Sequence, residues 1–408
     1  MVKYLGSKRT LVPAIRAAVE ALGVRTACDL FAGTTRVGQA LRRAGVVVHS
    51  NDLATYSEAL GHAYIAAGED VDRARIRSLL AHLGELPGRR GYFTETFCER
   101  ARFFQPHNGM RVDAIRDEIE RLGLEPVERG LLLTSLLEAA DRVDSTCGLQ
   151  MAYVKEWAPR SFNALELREP AVVPGPGGTV TRADALALDA GGAECAYLDP
   201  PYNQHSYFSN YHVWETLIRW DAPEHYGIAC KRVDCRTTKS PFNSKRRAWD
   251  AVEQLIGAIP SPWLVVSFND EGFHDLAAVE VLLAEKGFVA SVAVDFKRYV
   301  GAQIGIHNPS GEKVGRVSHL RNRECLFLVG PGAKRVMRNP DAGQQLPLAL
   351  APKGPFSASL PSSLLELENE VPGGTYNCNP STTLPAASMR SCSVALSLSK
   401  ACWVIALS

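Results

Sequence analysis

Residues 27–52 pass through an apolar strand, a glycine turn, a helix and a second apolar strand. Ala27-Cys28-Asp29-Leu30-Phe31 reads as a short buried strand, and Ala32-Gly33-Thr34-Thr35 as the turn. Arg36–Ala44 has helical periodicity, and Val46-Val47-Val48-His49-Ser50, closed by Asn51-Asp52, is the next strand. Two strands joined through a helix in about 25 residues form a βαβ unit, and a βαβ unit requires a parallel sheet. The fold class is therefore predicted as α/β.

The rest of the chain divides around that unit. Thr10–Leu22 is amphipathic and predicted helical. From 54 to about 147 helical periodicity dominates, clearest over Arg111–Leu122 and Glu125–Val143, and strand signals are few. Pro170-Ala-Val-Val-Pro-Gly-Pro-Gly-Gly178 is a loop. Strand patterns resume at Thr179-Val180-Thr181, Cys195-Ala196-Tyr197-Leu198 and Trp263–Phe268. A helix over Phe273–Lys286 and strands over Phe288–Phe296 and Arg323–Val329 follow. The expected organisation is one α/β domain from 1–53 and 179–335, interrupted by a mostly helical insertion at 54–178. Beyond 335, Ser, Pro, Leu and Ala replace the periodic patterns, and 336–408 is expected to be a disordered tail.

Composition narrows the class. A net charge of +1 excludes a uniformly basic protein but leaves room for a local phosphate-binding patch. The ten cysteines are scattered without a CxxC pair, so no zinc site is expected and the thiols are read as reduced. No apolar run is long enough for a signal peptide or a membrane span, which points to the cytoplasm.

Three strings carry chemistry. The first is Tyr197-Leu198-Asp199-Pro200-Pro201-Tyr202, an apolar strand ending in an acid, two prolines and an aromatic. Ligands of open α/β sheets sit at the carboxyl ends of strands, where Asp199 falls. Prolines donate no N–H, so local carbonyls stay free to accept. A base amine is a poor nucleophile because its lone pair is delocalised. Asp199 and the Pro200 carbonyl could each accept one amine hydrogen and stabilise charge developing on the nitrogen. Tyr202 could stack on the base, an interaction worth roughly 1–3 kcal/mol. The bland alternative is a rigid Pro-Pro turn.

The second string is Asp29-Leu30-Phe31-Ala32-Gly33-Thr34-Thr35-Arg36-Val37-Gly38. Gly33 permits a tight turn and close approach of a ligand, and Asp52, 19 residues further on, can take the two hydroxyls of a ribose. The string is not GxGxxG, which weakens a dinucleotide reading, and no hydride-transfer site accompanies it. The third string is Lys3-Tyr4-Leu5-Gly6-Ser7-Lys8-Arg9. Lys8 could meet a carboxylate and Tyr4 could line a cofactor pocket, although an ordinary basic N-terminus would look the same.

In their order along the chain, the three strings resemble the D12 class of N6-adenine DNA methyltransferases, the Dam-like family. The resemblance rests on 3–8, 31–38, 52 and 199–202 and covers roughly 1–53 and 179–330. It implies a Rossmann-like methyltransferase sheet and S-adenosylmethionine as cofactor. Tyr4 and Lys8 would contact the cofactor, Phe31 and Gly33 would form its loop, Asp52 would hold its ribose and Asp184 would read its adenine. Asp199, Pro200, Pro201 and Tyr202 would form the catalytic loop. The family usually has glycine where this chain has Thr35, which bears on how closely the loop approaches the cofactor.

The resemblance also makes double-stranded DNA the partner and 54–178 the target-recognition region, and it allows for a restriction endonuclease partner. Arg89-Arg90 and Arg100-Ala101-Arg102 could touch phosphates there. A denser basic stretch follows the catalytic loop: Lys231, Arg232, Arg236, Lys239, Lys245, Arg246 and Arg247, with Asp234 alone opposing them. Asn203-Gln204-His205-Ser206-Tyr207 borders the same cleft. The alternatives left open are methylation of cytosine N4, an RNA base or a protein glutamine, and a non-catalytic DNA-binding partner in a restriction system.

Overall fold

The computed structural model describes residues 2–6, 8–151, 156–188, 191–297, 321–333 and 403–406. The α/β half begins with α1 (Val12–Leu22), which has Pro13 in its first turn and ends at Gly23 with a left-handed φ of 66°. Then follow β1 (Thr26–Asp29), α2 (Arg36–Arg43) and β2 (Val47–Asn51). A helical block comes next: α3 (Thr55–Gly61), α4 (Arg73–Glu85), α5 (Pro106–Arg121) and α6 (Pro126–Val143). Pro106 and Pro126 start the last two helices, where a missing N–H has no cost. The α/β pattern returns with β3 (Thr179–Thr181) and β4 (Cys195–Leu198). After β4 come α7 (Tyr207–Asn210), α8 (His212–Arg219) and a two-stranded ribbon, β5 (His225–Tyr226) with β6 (Lys231–Arg232). The chain continues through α9 (Ala248–Ala258), β7 (Trp263–Asn269), α10 (Leu276–Ala284), β8 (Phe288–Lys297) and β9 (Arg321–Gly330).

The main sheet runs β3-β2-β1-β4-β7-β9-β8, and β10 (Trp403–Ala406) pairs beside β8 at the edge. All pairings are parallel except those of β9, which is antiparallel to both β7 and β8. The α/β reading therefore holds, and the predicted helices and strands fall within a few residues of those observed. The tail expected to be disordered lies outside the described residues apart from β10, a segment to which the sequence assigned no role.

Strand order reverses between β1 and β4. Successive connections lead outward through β2 and β3 on one side and through β7 on the other, which opens a crevice at the carboxyl ends. Ile15 and Val19 of α1 and Val37 and Leu41 of α2 cover one face of the sheet. Val252, Leu255 and Ile256 of α9, with Val279 and Leu283 of α10, cover the other.

The helical block has its own core, built from Phe93, Phe97, Phe103, Phe104, Leu136 and Leu137. It is not one continuous stretch of sequence. Tyr211, Val213, Trp214 and Leu217, from the segment after β4, belong to the same cluster. The buried Arg116 guanidinium fastens α5 to that segment by donating to the Leu217 and Ile218 carbonyls at the end of α8.

Candidate active site

β1, β2 and β4 end side by side, and each delivers an acid to the crevice. Asp29 is the last residue of β1, Asp52 follows β2, and Asp199 follows β4. Asp52 and Asp199 line a cavity of about 190 Å³ together with Tyr4, Phe31, Gly33, Asp184 and Pro201, while Asp29 is buried beneath them and is not part of the lining. Ser206, Tyr207 and Phe208 close the cavity from one side, and Lys239, Phe242 and Asn243 from another. The sequence therefore placed seven of its expected cofactor and catalytic residues around one space, joined by Lys239 from the basic stretch and by Ser206 and Tyr207 from the segment after the catalytic loop.

The glycine turn explains Asp52. Gly33, at φ 51°, donates its N–H to Asp52 Oδ2 at 2.8 Å, and the Ala54 N–H reaches Oδ1 at 2.9 Å. Each oxygen keeps a lone pair for a ligand hydroxyl. A Cβ at Gly33 would stand 3.2 Å from the Tyr4 ring, so glycine allows that approach as well as the turn. Asp184 lines the cavity while its Oδ1 caps a turn by accepting from the Leu186 N–H at 3.0 Å. Thr35 takes the left-handed conformation, φ 58°, and is buried. Its hydroxyl accepts from Gln39 Nε2 at 3.0 Å within α2, so its side chain is turned away from the cavity.

The N-terminal string is held by both halves of the molecule. Lys3 pairs with Asp141 and Asp144 of the helical block. Tyr4 stacks on Tyr211 with ring centroids 4.7 Å apart and on Tyr207 at 5.4 Å, and its hydroxyl meets that of Tyr56 at 3.1 Å. Lys8 meets a carboxylate, as its string allowed, and is not among the residues lining the cavity. Its ammonium lies 2.8 Å from Asp199 Oδ1 and also binds Glu324, behind the cavity wall. Tyr202 packs with Lys8 too, its ring centroid 5.9 Å from Nζ, and its carbonyl accepts the Phe273 N–H. Pro200 is buried beside it.

Electrostatics in the crevice are dominated by burial. Asp29 is pushed up to about 8 by desolvation, with Asp199 and Asp52 adding repulsion, and its Oδ1 has no hydrogen-bond partner. Asp52 is also raised by burial, against the bonds from Ala54 and Gly33. Asp199 rises to about 6 through burial, opposed by the Lys8 ammonium and reinforced by Glu324. Burial would lower Lys8, but Asp199 and Glu324 overcome it and hold the ammonium well above its usual value. Two carboxylates on the cavity wall, Asp52 and Asp199, with a third, Asp29, buried close by, suit a ligand that brings positive charge and a diol. S-adenosylmethionine carries a sulfonium, an ammonium and a ribose, so the residues present fit it.

The basic stretch divides into exposed and buried members. Arg236, Lys239, Lys245, Arg246 and Arg247 are exposed, and Lys231 is half-buried. Arg232 needs correction as a DNA ligand. It is 2% exposed, and its guanidinium is bonded to Asp221 and Asp234, so it faces inward and braces the ribbon. Arg89 and Arg90 are likewise occupied, with Asp117 and with Glu95 and Glu99. Sequence reasoning passed over Ser267 on β7 and Glu324 on β9, both bonded into the Lys8–Asp199 pair. A lone acid before an apolar run, Glu324-Cys325-Leu326-Phe327, was the available signal.

A sheet of this order, with acids ending its central strands beside a glycine turn, is a Rossmann-like α/β fold, and the family its sequence matches makes it a methyltransferase that uses S-adenosylmethionine. Residues 4–253 match the family described as D12 class N6 adenine-specific DNA methyltransferase. This chain belongs to that family. It is 29% identical over 312 residues to the Type II methyltransferase M.NlaIII of Neisseria lactamica, covering 72% of this chain and 92% of that one. It is 30% identical over 323 residues to the modification methylase StsI of Streptococcus sanguinis, covering 73% of this chain and spanning about half (48%) of that longer protein. M.CviAII of Paramecium bursaria Chlorella virus 1 is 27% identical over 316 residues, with 72% of this chain and 92% of that one covered. Among the described residues no helix is long and apolar enough to cross a membrane.

Proposed function

We propose that this enzyme methylates the N6 amine of an adenine flipped out of a specific DNA duplex sequence, with the residues of the crevice in the following roles. Asp52 holds the ribose hydroxyls of S-adenosylmethionine, Tyr4, Phe31 and Gly33 wall its pocket, and Asp184 stands where its adenine is read. Asp29, raised to about 8 and so mostly neutral at pH 7, would ionise more readily once the cofactor brings positive charge nearby. When bound, S-adenosylmethionine supplies an electrophilic methyl group on a sulfonium.

The extruded adenine sits against Asp199, Pro200, Pro201 and Tyr202, because its amine cannot be reached inside the duplex. Asp199 and the Pro200 carbonyl accept the two amine hydrogens, and Tyr202 stacks on the ring. As the nitrogen gains its methyl group it becomes positively charged. The Asp199 carboxylate stabilises that charge, and the surplus N–H proton then passes through Asp199 to water. Lys231, Arg236, Lys239, Lys245, Arg246 and Arg247 bind backbone phosphates, so affinity weakens with salt. The helical block with α8 reads the target sequence. Residues 1–53 with 179–335, apart from the α8 segment that joins the helical block, form the catalytic domain, and 54–178 the recognition insertion. A restriction endonuclease of the same specificity is the natural partner in the cytoplasm, since two of the relatives are named as Type II methyltransferases.

The observation that carries this reading is Asp199 at the end of β4, facing the cavity that Asp52 shares. The test is methyl transfer from labelled S-adenosylmethionine to unmethylated bacterial genomic DNA, followed by digestion to nucleosides. Label in N6-methyladenosine is expected. Label confined to N4-methylcytosine, or to RNA or protein offered in parallel, overturns it.

A further inference from the structure

We infer that Glu324 is a positioning residue for Asp199: it draws the Lys8 ammonium into a three-way bridge that keeps Asp199 a strong, correctly aimed acceptor for the target amine. This rests on the reading of Asp199 just given.

The bridge spans three neighbouring strands. Asp199 follows β4, Ser267 lies on β7, and Glu324 lies on β9, where it pairs with Asn269 in register. Lys8 Nζ binds Asp199 Oδ1 at 2.8 Å and also Glu324 Oε1. Ser267 Oγ lies 2.9 Å from that same Glu324 Oε1 and 3.4 Å from Asp199 Oδ1. Both contacts to Asp199 fall on Oδ1, which leaves Oδ2 for the cavity that Asp199 lines.

The packing of β9 does not require Glu324. Cys325, Leu326 and Phe327 beside it are buried and apolar, and an apolar residue would satisfy that position without the cost of burying a charge. A lone Lys8–Asp199 pair would already be neutral. Glu324 makes the set two carboxylates to one ammonium, so Lys8 divides its charge and Asp199 is only partly neutralised. An acceptor left partly unneutralised in a low-dielectric site is stronger toward an amine N–H. Without Glu324, Lys8 would settle wholly on Asp199 and weaken it.

The groups facing Asp199 come from every packed element: Lys8, Tyr197 of β4, Tyr202, Tyr207 of α7, Asp29 of β1 and Glu324. The three tyrosines are raised by burial and stay neutral through the physiological range. Removing the negative charge at 324 therefore lowers Asp199, whereas removing the Ser267 hydroxyl, which bonds the charged form, raises it.

The test is the single-turnover rate of methyl transfer to unmethylated genomic DNA between pH 5 and 8.5, with cofactor affinity and thermal unfolding measured on the same preparations. Glu324→Gln is expected to slow transfer by about tenfold at pH 7.5, less than the roughly 10²-fold or more of a group that itself handles the proton, because Glu324 acts only through Asp199. Its acid limb should move to lower pH, while cofactor affinity stays within about threefold. Ser267→Ala should move the limb the opposite way, and it carries the test alone if Glu324→Gln does not fold. Glu324→Asp, which restores the charge, should return the limb toward the wild type. A wild-type rate in Glu324→Gln, or slowed transfer with an unmoved limb in both variants, overturns the role. Asp199→Ala is run alongside. If it is dead while Glu324→Gln is normal, only the bridge is wrong. If it is active, the reading of Asp199 itself falls.

Discussion

Two buried carboxylates set the two halves of the molecule apart. Asp113, inside the helical block, accepts from the Phe93, Thr94 and Gly91 N–H groups and from the Thr94 hydroxyl. Asp29, at the end of β1, keeps an oxygen with no partner and two acids nearby. Both lie among apolar residues, and burial raises both. The helical block pairs its surface arginines and bonds its buried carboxylate fully; among the described residues, the buried atoms it leaves without a hydrogen bond, Ser57 Oγ, His62 Nδ1 and His212 Nδ1, belong to neutral groups. The crevice leaves its account open for a ligand to complete. A polar group buried without a partner costs about 1–3 kcal/mol, so such a gap persists where function needs it.

If the contrast is right, substitutions in the crevice should cost chemistry, and substitutions in the block should cost stability. The largest expected effect is Asp199→Ala. Transfer should fall by about 10³-fold or more, the scale of a lost transition-state acceptor, with cofactor affinity largely kept. Labelled transfer and calorimetry with S-adenosylmethionine check the two halves of that statement. Phe97→Ala in the block comes next. Phe97 is fully buried against Phe93, with centroids 5.1 Å apart, and its loss should cost about 3–5 kcal/mol of stability. Denaturant unfolding measures that cost. A folded Phe97→Ala that bound cofactor tenfold more weakly would break the contrast, because the block would then be part of the site.

Asp29→Asn sharpens the contrast from the other side. A carboxyl raised in the folded state holds a proton that the unfolded chain releases. Its contribution is intact below the ordinary carboxylate range and is lost as pH rises toward about 8. The ligand-free protein should therefore melt progressively lower from pH 5 to pH 8. Asn removes the charge but leaves an amide in the same poorly bonded place, so the gain at pH 7.5 should be about 2 kcal/mol. The pH slope of Tm should flatten, and cofactor affinity should fall. A steeper slope, or tighter cofactor binding, would mean that Asp29 is solvated and paired.

Much of this was legible in the sequence, for reasons that are local. The βαβ unit, the Asp52 spacing and the Asp-Pro-Pro-Tyr string each lie in one short segment, where strand, turn and helix chemistry can be read directly. Asp52 and Asp199 share a cavity because parallel strands put their carboxyl ends at one edge. What escaped depends on residues far apart in the chain. Lys8 and Glu324 are separated by 316 positions, and only the antiparallel insertion of β9 beside β7 brings them together. Arg232 was misread because charge counts do not reveal a partner, and Asp221 lies 11 residues before it, outside the stretch that was counted. The joining of α8 to the block was hidden for the same reason.

The smallest effect concerns Thr35, the position where the family usually has glycine. A β-branched residue at φ 58° carries left-handed strain of about 1–2 kcal/mol. Glycine would relieve it, but it would also lose the bond to Gln39 Nε2 and widen the unfolded ensemble, which costs about 0.4–1 kcal/mol. These terms oppose each other, so Thr35→Gly should shift stability by less than about 0.5 kcal/mol. The side chain points into α2 and not into the cavity, so cofactor affinity should change by less than about twofold, within the scatter of a substitution that touches no ligand. Calorimetry decides it. A tenfold gain in affinity for Thr35→Gly would mean that the threonine crowds the cofactor, and that the carboxyl edge of β1 is strained as well as unpaired.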